Sequence, residues 1–463
     1  MITYSIIKKS QLEGAHRLDT EYYQPEYLEN RKILERVANL RRLEEISAYI
    51  TNGATPYHED LSIGDIRFLT AEHIFDFFID FESSKYIKKF YHDGELKRTR
   101  LGENDLLITI KGKIGNAAVI FNLEKDTNIN QDVARVVLKK GHNPFYVCAF
   151  LNSKYGKLQS ERLSTNQINP FLGLGNLKLI KIPFIKEEKL QEKVEEIIRG
   201  AQREFRFSKS LYSQAEQLLL EELGIEKLAI DDELFCTVSA KEMKETQRFD
   251  AEYFQPKYKK LLIYLKKKFE IKKLRDLVNI KKGIEPGSEK YQEEGKPFIR
   301  VSNLSKFGIN DNDQKYLTDD FYQELKRNYQ PKIGEILLSK DATPGIAYVV
   351  KESIEGIIAG GILQLKLEAD LEPEYLALLM NSLIGQYQME RDTGGSVIVH
   401  WRPEQIRNIY IPIIEKPTQK KIASLVRQSY EGCKKAKELL EEAKQKVEKM
   451  IEKGGRNHAD FPN

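Results

Sequence analysis

Cysteine is scarce in this 463-residue chain, and its scarcity limits the chemistry available. Only Cys148, Cys236 and Cys433 occur, and none forms a CxxC pair or joins a histidine cluster. A disulfide framework needs paired cysteines, and a structural zinc site needs clustered cysteine or histidine ligands. We therefore expect neither a disulfide nor a metal site on this chain.

Long apolar runs are absent, and so is a basic and apolar leader. A membrane-spanning helix needs about 18 or more consecutive apolar residues, and no stretch approaches that length. A secretory leader would open with basic residues followed by an apolar core. Both absences lead us to expect a cytoplasmic protein.

An excess of charge of one sign is also missing. Lysine and arginine number 74 against 70 aspartate and glutamate residues, which gives a formal net charge of +4. No strongly basic tail indicates nucleic-acid binding, so any DNA-binding surface must be a local patch. Charged residues make up 31% of the chain, which fits long solvated helices and a heat-adapted protein equally well.

The main feature that is present is an internal repeat. Residues 17–27 read RLDTEYYQPEY and residues 248–258 read RFDAEYFQPKY, so seven of eleven positions are identical. Later segments match at nearly the same offset, including NDLLITIKGKIGNAAVI at 104–120 and GEILLSKDATPGIAYVV at 334–350. The repeat indicates one structural unit built twice.

Each copy shows the same predicted order of elements. A helix and two strands around a Gly/Pro turn come first, followed by a strand, a loop rich in Gly, Lys and Thr, and another strand. A further helix begins at Asn143-Pro or Glu372-Pro, and a last strand ends at Pro183 or Pro412. This order predicts a mixed α/β head in each copy.

A heptad pattern of apolar and small residues follows each head. The first seam, interrupted by Glu204, contains Leu190, Val194, Ile197, Ala201, Ser208, Leu211, Ala215 and Leu218. The second seam contains Ile422, Val426, Ser429, Cys433, Ala436, Leu440, Ala443, Val447 and Met450. Sustained heptads predict two long helices that pair as an antiparallel coiled coil about a pseudo-twofold axis and form a rigid spacer. The alternative is an ordinary amphipathic core helix in each copy.

The predicted fold class is therefore α+β, with two tandem globular heads that are each followed by a long helix. The predicted boundaries are 1–185 for the first head, 186–222 for its helix, 223–233 for a linker, 234–414 for the second head, 415–452 for its helix and 453–463 for a polar tail.

Sequence motifs for catalysis are weak. NPFY at 143–146 and FLGLG at 171–175 resemble loops of amino-methyltransferases, but the second copy has EPEY and HWRPE at the matching positions. A cofactor loop should also open a helix after a strand, which FLGLG is not predicted to do. A nuclease site would have to use Asp231, Asp232, Glu242 and Lys244. We therefore expect no catalytic residues.

Several loops instead combine the side chains that contact phosphates and base edges in DNA. The candidates of the first copy are Thr51, Asn52, Thr55, Tyr57, His58, Lys111, Lys113, Asn116, Thr165, Asn166 and Gln167. The candidates of the second copy are Lys281, Lys282, Ser288, Arg300, Ser302, Asn303, Lys340, Thr343, His400, Trp401 and Arg402. Trp401 is open to two interpretations, a ring that stacks on DNA or a packed core residue. Corresponding loops that carry different side chains suggest two sites that read different ligands in a similar way.

At this point the chain resembles the specificity subunits of type I restriction-modification systems. The resemblance rests on R-x-D-x-E-Y at 17–22 and 248–253, and on Ile-Pro at 182–183 and 411–412 followed by a glutamine-containing helix (Gln191, Gln419). It covers essentially the whole chain. Its departures are Glu204 in the first seam, and Lys189 with Gln191 near where the family often has an E-Q pair.

The resemblance implies a division of labour. Each head would read one half of a split DNA sequence, and the helices would set the gap and dock two methyltransferase subunits, which restriction subunits join. S-adenosylmethionine, ATP and Mg would be bound by those partners and not by this chain. Two alternatives remain: a self-contained DNA methyltransferase or nuclease, and a scaffold whose heads bind protein.

Overall fold

The computed structural model describes residues 4–12, 17–56, 61, 63–165, 168–184, 188–227, 235–311, 313–394 and 399–456. The chain divides into two compact units. Unit 1 comprises Met1–Glu204 with Lys435–Asn463, and unit 2 comprises Phe205–Lys434. Each unit therefore contains one globular head, called head 1 or head 2 below, together with a segment of both long helices.

Head 1 is built from nine short strands and six helices within the described ranges. The strands are β1 (Leu40–Arg42), β2 (Ser47–Asn52), β3 (Ile66–Leu69), β4 (Lys85–Ile87), β5 (Leu106–Thr109), β6 (Ala117–Val119), β7 (Thr127–Ile129), β8 (Val133–Leu138) and β9 (Lys181–Pro183). The helices are α1 (Pro25–Glu35), α2 (Leu43–Ile46), α3 (Lys89–Asp93), α4 (Pro144–Asn152), α5 (Lys154–Leu163) and α6 (Leu174–Leu177).

The long helix α7 (Glu188–Leu223) follows, and head 2 comes next. Its strands are β10 (Glu270–Lys273), β11 (Val278–Lys282), β12 (Lys296–Ile299), β13 (Leu304–Ser305), β14 (Gly308–Ile309), β15 (Lys315–Leu317), β16 (Ile336–Ser339), β17 (Ala347–Val349), β18 (Ile357–Ile358), β19 (Ile362–Leu367) and β20 (Tyr410–Ile413). Its helices are α8 (Ala240–Thr246), α9 (Pro256–Lys268), α10 (Asp319–Tyr329), α11 (Pro373–Asn381), α12 (Leu383–Thr393) and α13 (Pro403–Arg407), and α14 (Lys416–Arg456) is the second long helix.

The two heads share one sheet topology. A four-stranded antiparallel sheet has the order β2-β8-β5-β6 in head 1 and β11-β19-β16-β17 in head 2. A three-stranded sheet has the order β4-β3-β7 in head 1 and β15-β12-β18 in head 2, and its second pairing is parallel in both. The predicted mixed helix and sheet fold, ending in a long helix, is confirmed.

Buried strands explain why the sequence folds in this way. All four residues of β5 and all four of β16 are buried, because each central strand is covered on both faces. Helix α4 presents an almost entirely apolar surface and packs beside β6. Its last residue, Asn152, accepts a hydrogen bond from the Ala117 N–H over 3.0 Å. Asn381 makes the same bond to Ala347 in head 2, so this amide fastens the edge strand of each sheet.

A glycine is required at the same place in each copy. Gly115 and Gly345 have φ values of +78° and +88° in the loops after β5 and β16. A Cβ atom would lie 2.9 Å from Ser160 Cβ at the first glycine and 2.8 Å from Gln386 Nε2 at the second. Left-handed backbone together with a close neighbour favours glycine, and this accounts for the pair that the repeat predicts.

The long-helix segments of unit 1 meet through small and apolar side chains. Glu204, predicted to interrupt the first seam, forms an ion pair with Lys435. Leu190 is only half-buried. The buried seam residues of unit 1 are Val194, Ile197, Ala201, Ala436, Leu440, Ala443 and Val447.

In unit 2 a serine pair joins the two helix segments. The Ser208 hydroxyl donates to the Ser429 backbone oxygen over 2.6 Å, and both residues are fully buried. Leu218 is half-buried, and its neighbour Leu219 is fully buried. The other buried seam residues of unit 2 are Leu211, Ala215, Ile422, Val426 and Cys433. Pairing of the helices along their whole length as a coiled coil stays a prediction.

Each head is attached to a long helix by an arginine. In unit 2, Arg427 of α14 donates to Glu374 and to Glu372 at 2.8 Å each, and the Glu374 side chain is only 2% exposed. In unit 1, the Arg199 guanidinium of α7 lies 4.3 Å from the centre of the Phe145 ring. The described helices include none that is both long and apolar enough to cross a membrane.

The buried seam of unit 1 provides a test of helix packing. Ala436→Asp places a carboxylate where the side chain has no exposed surface, and burial of an unpaired charge should cost roughly 3 kcal/mol or more. Thermal or chemical denaturation of the purified chain should show this loss of stability. Gln445→Asp adds the same charge at an exposed position of α14 and serves as the control. Equal stability of the two variants would contradict the packing.

Candidate nucleic-acid interface

The predicted binding loops of head 1 lie at one end of its four-stranded sheet. Strands β2 and β5 end there, at Asn52 and Thr109, and β8 begins there at Val133. Because these neighbouring strands are antiparallel, the loops that follow β2 and β5 lie beside the loop that precedes β8. We call this end of the sheet the head 1 face.

Backbone hydrogen bonds add the segment that follows α5 to the head 1 face. The Leu172 N–H donates to the Ile110 oxygen over 2.8 Å, and Lys111 and Phe171 form a β-bridge. Thr165 and Phe171 also exchange two backbone hydrogen bonds of 2.9 Å. Phe171 is therefore held on both sides by backbone pairing.

Polar side chains occupy the head 1 face. The Thr55 hydroxyl donates to Gln131 Oε1 over 2.6 Å, and the Asn52 amide donates to the Gln131 backbone oxygen over 3.1 Å. Lys111 Nζ lies 3.8 Å from Asp132 Oδ1, and its side chain is 56% exposed. Hydrogen-bonding groups and an accessible cation are thus brought together.

Head 2 has the equivalent face. Strands β11 and β16 end there and β19 begins there. The Trp401 N–H donates to the Lys340 oxygen over 2.7 Å, as Leu172 does to Ile110 in head 1. Asp341 and His400 form the β-bridge. We call this end of the sheet the head 2 face.

An ionic cluster lies on the head 2 face. His400 Nδ1 lies 2.8 Å from Asp341 Oδ1, and Lys340 Nζ contacts the other carboxylate oxygen. Burial opposes ionisation of Asp341, but the hydrogen bonds from His400 and Lys340 prevail and hold its pKa below the usual range. The carboxylate is therefore charged at neutral pH and keeps the imidazole in place.

The predicted DNA-binding residues differ in accessibility. The exposed ones are Thr55, Lys111, Lys113, Thr165, Lys281, Lys282, Ser288, Ser302, Thr343, His400 and Arg402. Asn52, Asn116 and Arg300 are half-buried, and Thr51, Asn303, Lys340 and Trp401 are buried. Tyr57, His58, Asn166 and Gln167 lie outside the described residues.

Trp401 is a packed core residue in this structure, which is one of the two interpretations that the sequence leaves open. Its ring has no exposed surface, and Nε1–H donates to Asp392 Oδ2 over 3.1 Å. Burial raises the pKa of Asp392, and the indole hydrogen bond opposes that shift. A ring that is covered on all sides cannot stack on a base.

Three other candidates are also buried in the heads to which they belong. Asn303 has no exposed surface, and its side-chain oxygen accepts from the Arg300 N–H over 3.0 Å. Its contact with DNA stays a prediction. The Lys340 side chain is 11% exposed and pairs with Asp341, so its charge is partly neutralised and is not freely offered to a phosphate. Thr51 is buried within β2.

Sequence reasoning missed several residues of the two faces. Gln131 and Asp132 contact the predicted loops of head 1. They lie in the segment before β8, which carries none of the predicted DNA-binding residues. Phe171 and Asp341, which form the β-bridges with Lys111 and His400, are also absent from the residues that the sequence predicts to bind DNA. The signal that could have found Phe171 and Asp341 is the repeat itself. In the alignment of the two copies, position 111 matches 341 and position 171 matches 400.

The arginine of the second R-x-D motif caps the C-terminal end of α12. Arg248 pairs with Asp250 and also donates to the Asp392 and Gly394 backbone oxygens at 3.1 and 3.3 Å. These carbonyls lie at the C-terminal end of α12, where a cation is favourable. Arg17 pairs with Asp19 in the same way in head 1. The motif therefore has a structural role in head 2.

The NPFY fragment, which resembles a methyltransferase loop, has a structural role. Asn143 accepts hydrogen bonds from the Phe145 and Tyr146 N–H groups and so caps α4. The Tyr146 hydroxyl donates to the Pro183 backbone oxygen. Among the described residues, no group of three or more His, Cys, Asp or Glu side chains could hold a metal ion. Asp231 and Asp232 fall outside those residues.

Comparison with protein families gives one match. Residues 266–447 match the family model described as the type I restriction modification DNA specificity domain. This segment contains the head 2 face and most of α14. The match confirms the resemblance that the repeated motifs indicate. A search of curated proteins gives no match.

Solved structures include similar chains at low identity. The S subunit of a type I restriction-modification system from M. genitalium is 13% identical, with 92% of this chain and 96% of that chain covered and a TM-score of 0.41. The HsdS subunit from Thermoanaerobacter tengcongensis is also 13% identical, with 89% and 96% covered and a TM-score of 0.29.

The core position of Trp401 can be tested directly. Trp401→Ala should lower the stability of head 2 by about 3–5 kcal/mol, because a large buried side chain is lost and a cavity remains. Denaturation of the purified chain measures this change, with Phe249→Ala, at an 81% exposed position of the same unit, as control. Unchanged stability together with weaker DNA binding would instead indicate a ring that contacts DNA.

Proposed function

We propose, from the type I restriction modification DNA specificity domain at residues 266–447, that the chain is the DNA-recognition subunit of a type I restriction-modification complex. In this proposal head 1 and head 2 each read one half of a bipartite site. The two long helices, of 36 and 41 residues, set the gap between the halves and dock the methyltransferase subunits.

The observation that carries the proposal is the repeated backbone frame with different side chains. Both heads have the same strand order. In both, a β-bridge joins the loop after β5 or β16 to the segment after α5 or α12. The bridged residues are Lys111 and Phe171 in head 1, but Asp341 and His400 in head 2. A frame that both heads share, with different side chains on it, suits two readers of different sequences.

Binding would combine phosphate contacts with base contacts. Exposed lysines, including Lys111, Lys113 and Lys282, supply charge for phosphates, and that part of the affinity falls as salt rises. The polar and aromatic side chains of the two faces supply base choice. With a net charge of only +4, the affinity of the isolated chain should be modest until partner subunits complete the complex.

We assign the chemistry to the partners. Two methyltransferase subunits would bind S-adenosylmethionine, and restriction subunits would use ATP and Mg. The support for this assignment is that Asn143 of NPFY caps α4 and that Phe171 of FLGLG pairs with Lys111 on the head 1 face. A cytoplasmic location is part of the proposal, because the DNA that such a complex reads and protects is there.

Exchange of one head tests the proposed function. Replacement of residues 4–184 by the corresponding segment of a related subunit, in cells that also express the methyltransferase subunit, should change one half of the methylated sequence and leave the other half intact. Methylation-sensitive sequencing of the host genome provides the measurement.

The matched control is exchange of residues 235–413, which should change only the other half. A methylated sequence that stays the same after both exchanges, or that lacks two separate halves in the unaltered complex, would refute the proposal.

Cofactor binding tests the division of labour. Titration of the purified chain with S-adenosylmethionine in a calorimeter should give no binding heat, and the assembled complex with methyltransferase subunits should bind it. Saturable binding to the chain alone would favour a self-contained methyltransferase.

A further inference from the structure

Equivalent positions on the two faces carry chemically different pairs of side chains. In head 1, the β-bridge joins Lys111 to Phe171, and in head 2 it joins Asp341 to His400. The two bridges are equivalent because each lies next to a matching backbone hydrogen bond. That bond runs from Leu172 to Ile110 in head 1 and from Trp401 to Lys340 in head 2.

A buried residue fixes each bridge in place. Leu172 and Trp401 follow Phe171 and His400, and both have no exposed surface. Successive side chains of extended backbone point to opposite sides, so burial of one directs its neighbour outward. Phe171 is accordingly 40% exposed, and the His400 side chain is 62% exposed.

The head 1 pair is suited to hydrogen-bond acceptors and methyl groups. The Lys111 ammonium group only donates hydrogen bonds, and Phe171 offers an exposed ring that is held by backbone bonds to Thr165. In the major groove, guanine presents two acceptors that lysine binds, and thymine presents a methyl group that phenylalanine contacts.

The head 2 pair is suited to amino groups. Asp341 is a charged acceptor, and each of its oxygens retains a lone pair after bonding His400 and Lys340. His400 Nδ1 lies 2.8 Å from this carboxylate, which leaves Nε2 as the ring nitrogen that can meet a base. Cytosine and adenine are the bases that present amino donors in the major groove.

We propose that Lys111 with Phe171, and Asp341 with His400, are specificity-determining pairs for one base position in each half-site. Head 1 contacts the guanine or thymine of its base pair, and head 2 contacts the cytosine or adenine of its base pair. This inference rests on the proposed function, since it assumes that the two faces meet DNA.

Methylation sequencing of single-site variants tests the inference. Phe171→Ala or Lys111→Ala should relax one base position in the half-site that the head 1 exchange identifies. A pairwise contact with a base is worth about 1–3 kcal/mol, so preference at that position should fall about 5- to 150-fold. His400→Ala and Asp341→Asn should relax one position in the other half-site only.

Matched controls come from the opposite end of the head 1 strands. Phe90 is 78% exposed and follows β4 at the end away from the face, and Lys125 is exposed and precedes β7 at that same end. Phe90→Ala and Lys125→Ala should leave both half-sites unchanged. Phe171→His, checked by its melting temperature, provides a second substitution in case the alanine variant fails to fold.

The outcomes separate this inference from the function on which it rests. A wild-type complex without a bipartite methylated site would overturn the proposed function. A normal bipartite site in wild type, together with unchanged base preference in folded variants of both pairs, would overturn the specificity pairs alone. Relaxation of the wrong half-site would also overturn them.

Discussion

The backbone pairing between two distant segments is the constraint on which each face depends. In head 1, Leu172 bonds to Ile110, and in head 2 Trp401 bonds to Lys340, across separations of about sixty residues. This bond and the β-bridge beside it hold the segment after α5, or after α12 in head 2, at the end of the sheet. The buried side chains of Leu172 and Trp401 shield this hydrogen bond from water. A shielded hydrogen bond is stronger than one that is exposed to solvent.

Comparison of the two heads separates the residues that maintain the fold from those that are placed to contact DNA. Residues that repeat, such as Asn152 and Asn381 or Gly115 and Gly345, fasten strands or permit turns. Positions that differ, such as 171 and 400, are exposed on the faces. The physical reason is that the scaffold must satisfy the same hydrogen bonds in both heads, whereas exposed side chains are limited only by what they bind.

The repeat made the order of strands and helices along the chain predictable from the sequence, because a pattern that occurs twice with compatible periodicity has few interpretations. Accessibility was less predictable. Trp401 and Asn303 sit in loops rich in polar residues, yet tertiary packing covers them completely. Asp341 pairs with His400 and Asp132 pairs with Lys111, and these partners are brought close only in the folded heads, so the local sequence does not indicate where the two aspartates lie.

Photo-crosslinking from the two faces tests the account most directly. A benzophenone amino acid at position 171 or at position 400, in the complex bound to its methylated site, should crosslink to different halves of that site. The same group at position 90 should give no crosslink to bases. Crosslinks from positions 171 and 400 to the same half, or from neither, would contradict the account.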